Sequence, residues 1–224
     1  GKWPMFNYYS NEFKWELVNT GLYDGYSIRY NGFDSRLNPA LGMYPITGNP
    51  KGDFDDLFST PMDLSSCGSR CFLNFFYASA SRSGESSEIN DSLIIDYSAN
   101  KGPWKNLARL YKGSLINNGS LSIPYSPVNR SEWSPKAIQI PSDGITSYTT
   151  IRFRYKPSVG SDGYSSGNNF YMDRISFGSV PASVNTAVMG KIDVAVVPNP
   201  TNGNAYVVVK DADNTTAEVT VMDV

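Results

Sequence analysis

The sequence predicts an all-β protein: a two-sheet jelly-roll sandwich over residues 1–178, then a short, partial Ig-like β unit. Two observations carry this. Aromatic residues, which favour pleated half-buried surfaces, are abundant, with 15 Tyr and 11 Phe in 224 residues. Short apolar runs also alternate with loops dense in Gly, Ser, Asn and Pro, and no amphipathic stretch of helical period exceeds two turns.

The elements follow in order. YSIRYNGF (26–33) reads as a short strand. CFLNFFYASA (71–80) is almost wholly apolar, so it suits a central strand covered on both faces. SLIIDYSA (92–99) is a third strand, and KAIQI (136–140), ended by Pro141, a fourth. TTIRFRYK (149–156) gives the cleanest period of two: Ile151, Phe153 and Tyr155 face inward, Arg152, Arg154 and Lys156 outward. NFYMDRISF (169–177) is the last strand of this part, with Tyr171, Asp173, Ile175 and Phe177 on one face and Phe170 and Met172 on the other. After it, GSVPASVNTAVMG is small, polar and Pro-containing, which sets a linker at 179–191. Three strand-like runs fill 192–224, in KIDVAVVPNP, AYVVVKD and AEVTVMD. So few strands make a thin core, and the unit reads as truncated.

Composition excludes several functions. The chain contains no His, which removes Ser-His-Asp and Cys-His catalysis and any HExxH zinc site. The expectation is a chain that is not an enzyme and carries no catalytic cofactor. Its net charge is -2, and no Lys/Arg cluster could neutralise a run of phosphates, so nucleic acid is not an expected partner. No apolar run approaches the ~18 residues of a transmembrane span. The start, GKWPM, lacks a charged-then-apolar leader pattern and reads as the cut edge of a longer chain.

Cys67 and Cys71 lie in SSCGSRCFL. Gly68 and Ser69 allow a turn tight enough for a disulfide, which would imply an oxidising compartment. Two unpaired thiols are the other reading. Trp3, Trp15, Trp104 and Trp133, with the Tyr residues, offer either a sugar-stacking platform or ordinary sheet core.

Two stretches resemble known families. IDVAVVPNPTNGNAYVVVKDADNTTAEVTVMDV resembles the start of the type IX secretion sorting domain of Bacteroidetes-type bacteria: an apolar strand runs into Pro198, Asn199 and Pro200, then a turn with Gly203, then a Val-rich strand. The resemblance implies export by that secretion machinery to a secreted or cell-surface location. Within residues 10–178, FDDLFSTPMDLSS, CFLNFFYASA, DSLIIDYSANKGPWKNLARLYKG, EWSPKAIQIP, TTIRFRYKP and GNNFYMDRISFG occur in a familiar order. They resemble the non-catalytic β-sandwich that follows the catalytic domain of bacterial pappalysin-like zinc metalloproteases, and the related MAM-like or cleaved-adhesin jelly rolls. This implies an accessory module beside a neighbouring catalytic domain; a stand-alone carbohydrate-binding or adhesive module with a protein or glycan ligand is the alternative. Jelly rolls of this kind often hold a structural Ca2+, and Asp173, Asp55 and Asp56 are the candidate ligands. If the Asp173 face is inward, the carboxylate needs a cation or hydrogen bonds from backbone amides; if Phe170 and Met172 point inward, Asp173 is wet.

Overall fold

The computed structural model describes residues 3–23, 25–34, 53–82, 90–159, 165, 167–179, 193–197 and 206–210. The chain divides into two compact units, Gly1–Val184 and Asn185–Val224.

Among the described residues ten strands build the first unit: β1 (Met5–Phe6), β2 (Trp15–Val18), β3 (Ser27–Tyr30), β4 (Asp55–Phe58), β5 (Cys71–Ser81), β6 (Ser92–Ala99), β7 (Lys105–Tyr111), β8 (Ser134–Ile140), β9 (Thr149–Lys156) and β10 (Gly167–Gly178). They form two five-stranded sheets, ordered β1-β4-β9-β6-β7 and β2-β3-β10-β5-β8, with antiparallel pairing throughout. Without the leading strands β1 and β2, the eight that remain alternate between sheets, apart from the β6–β7 hairpin, in the order of a jelly roll: β3-β10-β5-β8 faces β4-β9-β6-β7.

The period of two in β9 becomes the inner wall of the core. Ile151, Phe153 and Tyr155 are fully buried. They meet Leu73, Phe75 and Tyr77 from β5, Leu93 and Ile95 from β6, and Phe170 and Met172 from β10. A second apolar cluster covers the other face of the β5–β10 sheet: Ala78, Ala80 and Tyr171 lie under Leu22, Tyr125 and Trp133. The unbroken apolar run of β5 is therefore covered on both faces, as its composition requires.

Strand β10 departs from simple alternation. Asp173 pairs with Phe76 but Ser176 with Asn74, so three residues on β10 span two on β5. The extra residue is a β-bulge, and Arg174 adopts a left-handed φ of 53° there. The bulge flips the strand's parity. Phe170 and Met172 face the core before it, while Ile175 and Phe177 pack against the same core after it. The expected common face of Tyr171, Asp173, Ile175 and Phe177 is therefore split.

A second bulge lies between Gly167 and Phe170. It turns Asn168 and Asn169 toward neighbouring backbone. The Asn168 amide donates to the carbonyls of Leu121 and Ile123, at 3.0 and 2.9 Å, and its Oδ1 accepts from the Tyr125 amide at 2.8 Å. Asn169 donates to the Tyr125 carbonyl at 3.0 Å and accepts from the Gly32 amide at 3.2 Å. A Cβ on Gly32 would lie 2.4 Å from the Asn168 carbonyl oxygen, so the approach requires glycine.

Cys67 and Cys71 are joined in a disulfide, with Cα atoms 5.3 Å apart, tying a short 3-10 turn to the start of β5. In the second unit, β11 (Asp193–Val197) and β12 (Tyr206–Lys210) pair antiparallel from Asp193↔Lys210 to Val197↔Tyr206. The third strand expected there, and Pro198, Asn199, Pro200 and Gly203, lie outside the described residues.

Candidate functional site

The outward face of the β1-β4-β9-β6-β7 sheet collects the chemistry. With odd-numbered β9 residues buried, Arg152, Arg154 and Lys156 must point outward. Cross-strand register then lays out two rows. One runs Phe6, Asp56, Arg154, Ile94, Arg109; the other runs Phe58, Arg152, Asp96, Asn106.

Both arginines are clamped by two nitrogens. Arg154 donates to Asp56 through Nε at 2.8 Å and Nη2 at 2.7 Å, a bidentate fork. Arg152 donates to Asp96 Oδ2 through Nε at 3.1 Å and Nη2 at 2.6 Å, and Asn106 donates to Asp96 Oδ1 at 3.1 Å. Tyr8 donates its hydroxyl to Asp56 at 3.0 Å. Burial, with the Asp56 carboxylate beside it, raises the Tyr8 phenol above its ordinary pKa.

Aromatic rings lie against these pairs. The Arg154 guanidinium sits 4.0 Å from the Phe54 ring centre, and that of Arg152 sits 4.7 Å from Trp104. Neighbouring rings make an unbroken run from Phe54 through Tyr8, Phe6 and Phe58 to Trp104, with centroids 5.4–5.9 Å apart. Phe6 and Tyr8 are within 15° of parallel. These rings are not core. Phe6 is 47% exposed, Tyr8 49% and Trp104 38%, and Tyr111 at the far margin is 50% exposed. The face offers flat apolar surface and fixed hydrogen-bonding charges, which suits holding a ligand.

The calcium ligands expected from the sequence do not assemble. Asp173 belongs to the other sheet, where its carboxylate accepts from the backbone amides of Leu22 at 2.8 Å and Arg174 at 2.6 Å. Alternation before the bulge places it on the Tyr171 face, the Leu22 side of that sheet, with backbone amides as its donors. Asp56 is taken by Arg154 and Tyr8. Asp55, one residue along the strand, points between the sheets and accepts from the Tyr8 amide at 2.9 Å. Among the described residues no group of three or more His, Cys, Asp or Glu could hold a metal ion.

The core itself contains unexpected acid. Asp55 and Asp91 are buried, each with one carboxylate oxygen lacking a hydrogen-bond partner among the described residues. Burial pushes each of these carboxyls up to about 7. Beside them the rings of Tyr30 and Tyr155 stack at 4.2 Å, with both hydroxyls buried and without a partner among the described residues. Burial raises both phenols well above their ordinary value.

Of the four tryptophans, Trp15 and Trp133 are buried in the two clusters. Trp3 is half-buried and stacks on Phe153 at 6.1 Å. Only Trp104 joins the outward face. Phe6, Tyr8, Phe54, Phe58 and Tyr111 were not singled out by sequence, although FDDLF alternates Phe54, Asp56 and Phe58 onto one side.

No protein-family model and no curated protein matches this chain. Solved structures do. The K3 cleaved adhesin domain of Lys-gingipain from Porphyromonas gingivalis aligns with a TM-score of 0.43 at 10% identity, covering 79% of this chain and 91% of that one. The CBM22-1–CBM22-2 tandem of Paenibacillus barcinonensis Xyn10C aligns at 0.40 and 11% identity, covering 80% and 46%. TmCBM27, a mannan-recognising carbohydrate-binding module, aligns at 0.38 and 9% identity, covering 80% and 89%. The jelly-roll assignment rests on the strand order and register of this chain itself. No helix among the described residues is long and apolar enough to cross a membrane.

Proposed function

We propose that this chain is a non-catalytic binding module of a secreted or cell-surface bacterial protein, and that it holds a glycan or protein ligand on the β1-β4-β9-β6-β7 face. The observation that carries this is the solvent-facing run of Phe6, Tyr8 and Trp104 beside two clamped arginines. Exposed aromatic surface of this kind, rimmed by polar groups, marks an interaction site rather than a packing need. Both carboxylates of the face serve as counter-charges to an arginine. With no His in the chain, no general base of the usual kind stands beside them.

The resemblance of residues 10–178 extends the proposal. The module serves as an accessory to a catalytic domain of zinc-metallopeptidase type in the parent protein, and residues 192–224 address that protein to type IX secretion. An upstream reading frame without an HExxH-bearing domain would remove the accessory part.

The binding reading is tested with the purified protein and its Phe6→Ala and Trp104→Ala variants, screened against polysaccharides and extracellular proteins. Each variant is expected to weaken retention several-fold while melting like the parent, because the lost ring is surface. A ligand retained equally by parent and both variants would place the site elsewhere.

A further inference from the structure

We propose that the outward face binds an acidic glycan, a chain of uronate-bearing sugars; this rests on the reading above that the face is the ligand site. The charge of the face supports it. Among the described residues four cations project from it, Arg109, Arg152, Arg154 and Lys156, against two anions, Asp56 and Asp96. Four minus two leaves +2 among these residues, on a chain whose net charge is -2. Among the described residues, Asp56 and Asp96 are used by Arg154 and Arg152, and no carboxylate pairs with Arg109 or Lys156. Arg109 and Lys156 are both exposed.

Their spacing follows from the sheet. Arg109 lies two strands from Arg154 along one row, about 10 Å away. Lys156 is two residues along β9 from Arg154, about 7 Å away. The two uncompensated charges are thus separated and fixed on a rigid sheet. They suit a polymer carrying one planar carboxylate per sugar better than a densely sulfated chain or nucleic acid, which needs many clustered cations. Exposed rings flank these charges: Phe6, Tyr8 and Trp104 belong to the run beside Arg152 and Arg154, and Tyr111 lies at the end of β7. Sugar rings stack on these aromatic faces while their carboxylates meet Arg109 and Lys156. The Arg109 guanidinium lies 5.3 Å from the Tyr111 ring centre, so ring and charge are presented together.

The test uses the whole chain in affinity electrophoresis against polygalacturonate, its methyl-esterified neutral form, and heparin as the sulfated arm. Polygalacturonate is expected to bind about tenfold more tightly than the ester, as two screened surface charges provide, and to weaken as salt rises. The double variant Arg109→Gln/Lys156→Gln should lose that tenfold on the acid polymer without a change in melting. Phe6→Ala should weaken both the acid and the ester. Equal binding of acid and ester, with Phe6→Ala still weakening both, overturns the acidic-glycan assignment but leaves the face as the site. A preference for heparin, or no retardation by any polymer, also overturns the assignment. Polygalacturonate binding that ignores Phe6→Ala and the double variant alike overturns the face reading as well.

Discussion

Asp91 should make the folded state lose stability as pH rises, and Asp91→Asn should remove that loss. The carboxyl is 1% exposed at the start of β6. Its Oδ1 accepts from the Ser158 amide at 2.6 Å, and its Oδ2 has no partner among the described residues. Burial moves it from 3.8 to about 7. The unfolded chain releases this proton near pH ~3.9, whereas the folded chain keeps it until about pH 7. Between those values the folded state binds more protons, so stability falls as pH rises and levels off above about pH 7. A shift of this size corresponds to at most ~4 kcal/mol at 1.36 kcal/mol per unit. Asparagine keeps an acceptor for Ser158 but puts an NH2 where Oδ2 lies against Gly167, at a pH-independent cost of about 1–3 kcal/mol. Urea melts of both proteins at about pH 5 and pH 8 measure the difference. The variant should gain on the parent by up to ~2.7 kcal/mol between the lower pH and the higher one, two units below the folded pKa at 1.36 kcal/mol each. Asp55, also raised by burial to about 7, leaves a residual slope in the variant. If the difference between the two proteins is the same at both pH values, Asp91 is not a buried neutral acid and the reasoning fails.

Two further outcomes bear on the fold. Phe153→Ala, at a fully buried position between the sheets, should cost roughly 3–5 kcal/mol in urea melts; a cost below ~1 kcal/mol would mean the inner face of β9 is misassigned. Gly32→Ala drives a methyl into the Asn168 carbonyl oxygen and should destabilise by at least ~1 kcal/mol, and an unchanged melting point would show that the Asn168–Asn169 bulge yields freely.

Much of the sandwich was legible because its central strands obey simple periods. Strand β9 was readable to the residue from its alternation, and β5 from its continuous apolar run. Strands β1, β2, β4 and β7 were not. Strands β1 and β2 have two and four residues, too short to display a period. Strand β4 begins with two aspartates, a poor strand signal on its own. One of them is redeemed by Arg154 from a strand almost a hundred residues later, a partner that local sequence cannot show. Strand β10 was found, but its faces were misread because Asp173 and Arg174 carry no mark of a bulge; the extra residue becomes visible only against β5. The candidate site inherits these gaps. Its arginines were expected to be outward, while most of its rings come from the β1 and β4 side and were passed over for four tryptophans, of which Trp104 alone reaches the face.

The strand order also dictates when this molecule can exist at all. The strands that join each sheet together, β9 and β10, are the last two of the first unit, within residues 149–178. Without them the two sheets fall into four separate two-stranded pieces: β1–β4, β6–β7, β2–β3 and β5–β8. Two strands alone are marginal in water, and each piece would present a bare edge ready to pair with another chain. During synthesis the polypeptide must therefore wait, without a closed sheet, until nearly the whole unit has left the ribosome. A product ending before Thr149 would be an aggregation hazard rather than a smaller domain. The half-made chain depends on being shielded, or on being threaded onward before it folds.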